Sequence, residues 1–267
     1  MKIIRHLTPN GPAHAALQPD GSAREITGDI LGDFKVTDRV VKPGKLLAPI
    51  VPSSILAIGL NYKKHAEEGG KGVPAQPMLF MKSLNSLQNP GDPIEIPVKM
   101  ASTEVDYECE LAVVIGKKCK NATKANALDF VLGYTCANDV SARDWQRNGG
   151  GGQWCQGKSF DTFCPLGPVL VTKDEIPNPN KLRIRTLLNG EAMQDWNTDD
   201  MIFDVPTLIE FLSASKTLLP GTVILTGTPH GVGFARNPPV WLKAGDTVTI
   251  DIEKIGALTN PVVNEKL

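Results

Sequence analysis

Hydrophobic and polar positions alternate through residues 2–7, a period of two that predicts a β-strand with one buried face. A turn at Pro19, Asp20, Gly21 and Ser22 and a proline-rich connection over 40–52 follow, so the first fifty residues read as a small β-meander. Further on, unbroken apolar runs replace alternation. Residues 55–60, 78–81, 131–137, 168–172 and 222–226 are short runs of the kind a strand shows when both faces are buried, and 106–115 is a longer one. The stretch 183–188 runs into Asn189 and Gly190, the pair that favours a two-residue hairpin turn. Val248, Ile250 and Ile252 alternate after a turn at 244–246. Helical periodicity is scarce. Residues 123–130 predict one short helix, Ser141 with Asp144 three positions on predicts the capped start of a second, and Asp204 with Pro206 and a Leu208, Ile209, Leu212 stripe predicts a third. With 25 Gly and 21 Pro as punctuation, the pattern is that of a β-rich α+β protein. The division it suggests is a small N-terminal β region over 1–52 and a larger unit over 53–267.

Charge narrows the partners. The formal net charge is -1 and no Lys/Arg block stands out, whereas a nucleic-acid binder concentrates positive charge. No apolar run approaches the roughly 20 residues that span a bilayer. The start, MKIIRHLTPNGPAHA, has no long apolar centre and does not read as a secretory leader. Five cysteines with no Cys-x-x-Cys read as reduced, buried small hydrophobes, and the expected compartment is cytoplasmic.

Against this background Glu108 and Glu110 are out of place, one residue apart at the mouth of the apolar run 111–115. On a strand they share a face with Asp106, their Cα atoms roughly 6–7 Å apart. Two ionised, unpaired carboxylates in a dry interior cost several kcal/mol each, roughly, and a divalent cation removes that cost. A solvated acidic strand end is the competing reading. Asp139, at the end of the next strong strand, is either a third ligand or a helix-entry residue satisfied by backbone N–H groups. Three hard oxygen ligands without nearby His or Cys favour Mg²⁺ or Mn²⁺, and admit Ca²⁺, over zinc.

His65 lies in GLNYKKHAEEGGKG. If residues 62–68 make a helical turn, His65 and Glu68 are i,i+3 neighbours, a pairing that suits a general base and equally describes an exposed surface pair. The flanking Gly69, Gly70 and Gly72 suggest a hinge for a lid. Lys158 sits in a turn ahead of aromatic residues in QGKSFDTFCPLGP, and LTGTPHGVG offers Thr226, Thr228 and glycine N–H groups after a buried strand. Each of these alone reads by default as structural.

Taken together, GLNYKKHAEE, DYECELAVVIGKK, NDVSARDWQ, GKSFDTFCPLGP, LLNGEAMQ and ILTGTPHGVG, in that order, resemble the fumarylacetoacetate hydrolase family, and in particular its short domain-containing proteins of the second mammalian type. The resemblance runs from about residue 57 to the C-terminus. It implies a mixed β-sandwich roll behind a small N-terminal region, commonly as a homodimer. It implies that Glu108, Glu110 and Asp139 hold the metal, that His65 and Glu68 form a catalytic dyad on a lid, and that Lys158 stabilises developing negative charge. It also implies that Arg143 and Gln146 face substrate and that Thr228 stands at the rim. One departure is visible. Hydrolases proper of the family carry a fourth carboxylate ligand seven residues before the histidine, where this chain has Ile58.

The activity this implies is metal-dependent hydrolysis of a C–C bond in a small 1,3-dicarbonyl or 2-oxo acid of the acylpyruvate kind, by way of an enolate that the ion stabilises. Two alternatives stand beside it. One is oxaloacetate keto–enol tautomerisation, or decarboxylation, at the same site. The other is a non-catalytic small-molecule binder.

Overall fold

The computed structural model describes residues 1–70 and 72–267. Its main sheet begins with the expected meander, the antiparallel strands Lys2–Thr8, Gly11–Leu17, Ala23–Gly28 and Phe34–Val41. The first of these also pairs with Cys164–Thr172, so the meander is continuous with the rest of the sheet. From there the order is Val131–Asn138, Cys109–Ile115, Thr222–Leu225, Ser54–Gly59 and Met78–Lys82. The Thr222–Leu225 and Ser54–Gly59 pair is parallel and its neighbours antiparallel, which makes the sheet mixed.

Cys109–Ile115 lies in the middle, and all seven of its residues are buried. Its two faces go to different places. Leu111, Val113 and Ile115 share a core with Ile184, Val248, Ile250 and Leu258 of a second, five-stranded sheet. Ala112 and Val114 share another core with Ile26 and Ile30 from one end of the main sheet and Ile55 and Phe80 from the other. The main sheet therefore curls around its own inner face, and burial of each Val, Leu or Ile there contributes about 1.5–3 kcal/mol. The β-rich roll expected from the chain is what forms. The hairpin of Arg183–Leu188 and Glu191–Asn197 turns at Asn189 and Gly190, both with positive φ (53° and 86°). The helix expected after Asp204 is Val205–Ser213, with Asp204 Oδ1 accepting from Thr207 N at 2.9 Å. Among the described residues, no helix is long and apolar enough to cross a membrane.

Three local expectations fail. Residues 106–115 are not one strand: Val105–Asp106 pairs with Ser141–Ala142, and the main strand starts only at Cys109. The cause is Asp106, whose Oδ1 accepts from Tyr107 N at 2.8 Å and from Gly233 N at 2.7 Å, taking Tyr107 out of the ladder. Asp106 consequently does not join Glu108 and Glu110. Residues 123–130 yield one 3₁₀ turn, Ala127–Phe130, because Asn126 Oδ1 accepts from Thr123 N at 2.8 Å and closes a side-chain turn first. Ser141 caps nothing, since its hydroxyl donates to Asp139 O at 2.8 Å. Helical backbone does follow close behind it, from Arg143 and Asp144 into the turn Trp145–Gly149, with Asp144 and not Ser141 accepting from Trp145 N, at 2.9 Å.

Candidate active site

Register brings the acids together. Cys109 opposes Asn138 and Glu110 opposes Ala137, and the antiparallel pairing continues as Asp139 N donates to Glu108 O at 3.0 Å. Asp139 and Glu108 thus face each other, and Glu110 follows two residues on, on the same face. Oxygen atoms of Glu108, Glu110 and Asp139 lie within 4.8 Å of one another, and all three residues are buried. The solvated strand end and the helix-entry reading of Asp139 both fall with this.

Cations enter from three segments. Lys158, on the short helix Cys155–Lys158, donates to Glu108 Oε2 at 2.8 Å and to Asp139 Oδ2 at 2.7 Å. Gly157 allows that approach: a Cβ there would sit 2.5 Å from Gln146 N and 2.7 Å from Ala142 O. Lys82, ending Met78–Lys82, reaches Asp139 Oδ1 at 2.6 Å and also donates to Lys158 O. Arg143 Nη2 lies 2.8 Å from Asp106 Oδ2 and 2.7 Å from Glu108 Oε1, and Nη1 donates to Gln146 Oε1 at 3.0 Å. Four buried carboxylates, counting Asp106, meet three buried cations. Removing one partner from such a pair costs about 3–5 kcal/mol, because the other charge stays buried.

Glu110 is the acid left over. Among the described residues no lysine or arginine pairs with it, and Gly227 N donates to its Oε2 at 2.7 Å. Burial, then the charges of Asp139 and Glu108, push its carboxyl well above the usual range. Burial pushes Glu108 the same way, but Lys158 and Arg143 outweigh it and hold that carboxyl low. A hard dication fits this set. It supplies the positive charge Glu110 lacks, and each carboxylate oxygen has lone pairs enough to serve a lysine and an ion together.

The histidine approaches from above. Helix Lys63–Glu68 is anchored by Lys64 N on Asp200 Oδ2 at 3.0 Å, and Asn61 ties the preceding turn to Phe203 and Thr226. His65 Nδ1 lies 3.0 Å from Glu68 Oε2, and Glu68 Oε1 accepts from Gly231 N at 2.9 Å. Burial raises the Glu68 carboxyl, but His65 and Gly231 outweigh it and the net shift is downward. An ionised Glu68 assigns the ring proton to Nδ1 and leaves Nε2 as an acceptor. His65 is buried, which ends the reading as an exposed surface pair.

A cavity of about 280 Å³ joins these groups, with His65, Glu108, Glu110 and Lys158 in its wall. Arg143, Gln146 and Thr228 line it too, Thr228 accepting from Gln194 Nε2 at 2.8 Å. Every residue to which the resemblance assigns a role therefore borders the cavity or, as Glu68 and Asp139, touches one that does, whereas Thr226 stays behind the wall with its hydroxyl on Leu111 O. Ile58 also lines it, an apolar side chain at the position of the departure noted in the sequence. Sequence reasoning missed Lys82, though the signal existed: in MLFMK it shares the inward phase of Phe80, a lysine where period two calls for an apolar residue. Phe234, stacked under Arg143 at 4.6 Å, and Gln194 gave no such signal.

A buried acidic cluster and a histidine–glutamate dyad share one cavity of a curled β-sheet, the arrangement of an enzyme's active site. The chain belongs to the fumarylacetoacetate hydrolase family: residues 54–263 match the sequence profile of the fumarylacetoacetate (FAA) hydrolase C-terminal domain, and residues 1–49 match one described as Rv2993c-like, N-terminal. The mitochondrial oxaloacetate tautomerase of Xenopus laevis is 50% identical over 250 residues, 93% of this chain and 75% of that protein. A human mitochondrial oxaloacetate tautomerase is 49% identical over 218 residues, 81% of this chain and 69% of its own length. Among solved structures, 5-carboxymethyl-2-hydroxymuconate delta-isomerase from Mycobacterium smegmatis superposes with a TM-score of 0.87 at 42% identity, covering 99% of this chain and 100% of that one. These relatives show the expected likeness to the second mammalian type.

They also correct the expected compartment. The frog and human relatives are named mitochondrial, which conflicts with a cytoplasmic assignment. The cytoplasmic expectation rests on a start that does not read as a secretory leader and on cysteines that read as reduced, and the structure has all five cysteines free. Free thiols separate reducing from oxidising surroundings, not one reducing compartment from another.

Proposed function

We propose that this enzyme interconverts the keto and enol forms of oxaloacetate. The observation that carries the proposal is the single cavity walled by His65, with Glu68 behind it, and by the carboxylates of Glu108 and Glu110. The same apparatus serves the C–C hydrolysis placed first on sequence grounds. Relatives about half identical to the chain and named oxaloacetate tautomerases favour the alternative.

Glu108, Glu110 and Asp139 would hold the ion, Mg²⁺ or Mn²⁺ by donor type. The chemistry a bound dication supplies is Lewis acidity, drawing electron density from a 2-oxo acid's carbonyl and acidifying the neighbouring C–H. His65 Nε2 takes the proton from that carbon and returns it to oxygen. Glu68 fixes the ring and stabilises the imidazolium between the two transfers. Lys158 places an ammonium by the oxygen on which negative charge develops. Thr228 and Gln146 offer hydrogen-bonding groups to the substrate.

The test follows ketonisation of oxaloacetate enol by absorbance, with the Mn²⁺-loaded protein, against cleavage of an acylpyruvate. Accelerated ketonisation is expected, and His65→Ala should lower it by about 10²-fold or more while leaving Mn²⁺ binding intact. Acylpyruvate cleavage without accelerated ketonisation would reject the tautomerase. Hydrolysis remains the second reading on one observation, the apolar wall of Ile58, Phe80 and Trp154, which suits an acyl chain. The homodimer implied by the family resemblance belongs to the same proposal. It is supported by exposed Leu79, Met81 and Leu219 lining one groove, and sedimentation at micromolar concentration tests it.

A further inference from the structure

Two basic side chains of the cavity wall, Arg143 and Arg147, have no part in the chemistry above. Arg147 stands on the Trp145–Gly149 turn, next to Gln146, and borders the same cavity as Arg143 and Lys158. Those two cations are committed. Arg143 is held by Asp106, Glu108 and Gln146, and Lys158 by Glu108 and Asp139, all of them buried. Arg147 is different. Its side chain is 53% exposed, and it pairs with Glu104, 28% exposed, a carboxylate outside the acidic cluster.

That difference decides which guanidinium an incoming anion can recruit. Water screens the Arg147–Glu104 pair, so exchanging Glu104 for another carboxylate costs little. Drawing Arg143 away from Asp106 and Glu108 would leave buried charges uncompensated. Arg143 is therefore fixed furniture of the site, and Arg147 is the cation free to change partners. A guanidinium also offers the planar fork that receives a carboxylate through two hydrogen bonds.

Resting on the oxaloacetate reading of the site, we propose that Arg147 binds the distal carboxylate of a four-carbon dicarboxylate, exchanging Glu104 for substrate, and so selects diacids over monocarboxylic 2-oxo acids. The 2-oxo acid end lies against the acidic cluster. The second carboxylate points to the half-exposed side of the cavity, where Arg147 waits.

Calorimetric binding of L-malate and L-lactate to the Mn²⁺-loaded protein tests this without turnover. The two ligands share the 2-hydroxy acid end and differ in the second carboxylate. Wild type should prefer malate. Arg147→Ala should weaken malate about tenfold, or about 1.4 kcal/mol, and lactate less than about twofold. Arg147→Lys should recover part of the loss, and Glu104→Gln, which removes the competitor, should tighten malate. Equal affinity of wild type for the two ligands, no malate binding, or an equal loss of both in Arg147→Ala overturns the proposal. The ketonisation assay fails separately. Arg147-dependent malate binding by a protein that does not ketonise oxaloacetate would refute the reaction and keep the diacid selectivity, and the converse pair of results would do the reverse.

Discussion

Glu110→Gln separates a metal centre from a merely buried acid. The amide keeps an oxygen for the Gly227 N–H, which donates at 2.7 Å, and keeps the volume. It removes an ionisable group whose charged form would face like-charged neighbours with oxygens within 4.8 Å. Two unit charges at that distance repel by roughly 3 kcal/mol at an effective dielectric of 20. Lys158 and the other cations cancel part of this, so relief of about 1–3 kcal/mol is expected, within the range for replacing buried charges by neutral groups. The sign follows from the raised carboxyl of Glu110. Such a group costs nothing below the unfolded value near 4.3, and the cost grows as pH rises from there to the folded value. At pH 7, without metal, the variant should melt above wild type by roughly 2–4 °C per kcal/mol, and at pH 4 the difference should vanish. Added Mn²⁺ reverses the order. At a hundredfold excess over Kd it stabilises wild type by about 2.7 kcal/mol, or roughly 5–10 °C, and the variant hardly at all. Thermal melts followed by circular dichroism, with EDTA or Mn²⁺, give both numbers. A variant that melts below wild type in EDTA, or that keeps the Mn²⁺ shift, would refute the argument.

Two further outcomes follow from the same charges. Lys158→Ala should destabilise the metal-free protein by about 3–5 kcal/mol, since Glu108 and Asp139 lose a buried partner, and should tighten Mn²⁺ binding by removing a competing cation. Urea melts and calorimetry read the two effects, and weaker Mn²⁺ binding would contradict the account. Because Glu110 must ionise to bind metal, Mn²⁺ uptake should release protons and weaken as pH falls. Calorimetry in two buffers of different ionisation enthalpy measures that release, and identical heats would argue against it.

Much of this was legible in the chain because it is local. The hairpin at Asn189 and Gly190, the Asp204 cap and the His65–Glu68 pair each depend on residues within a few positions of one another. Where local reading failed, a side chain had intervened in the backbone ladder: Asp106 took the N–H of Tyr107, and Asn126 took that of Thr123. Asp and Asn side chains readily bond nearby backbone, and nothing in their immediate neighbours says which N–H they will capture.

By itself, then, the amino-acid order determined the two-residue spacing of Glu108 and Glu110, the helical proximity of His65 and Glu68, and the family. Only the folded sheet decided that Asp139 faces Glu108, that Lys82 arrives from 57 positions away to hold Asp139, and that Gly231, 163 positions beyond Glu68, fixes the dyad. It also decided that Arg143 is tied to buried carboxylates while Arg147 holds only the solvent-screened Glu104. Periodicity is written in neighbouring residues. Which charges meet depends on strand order and register, and those are set by the packing of the whole chain.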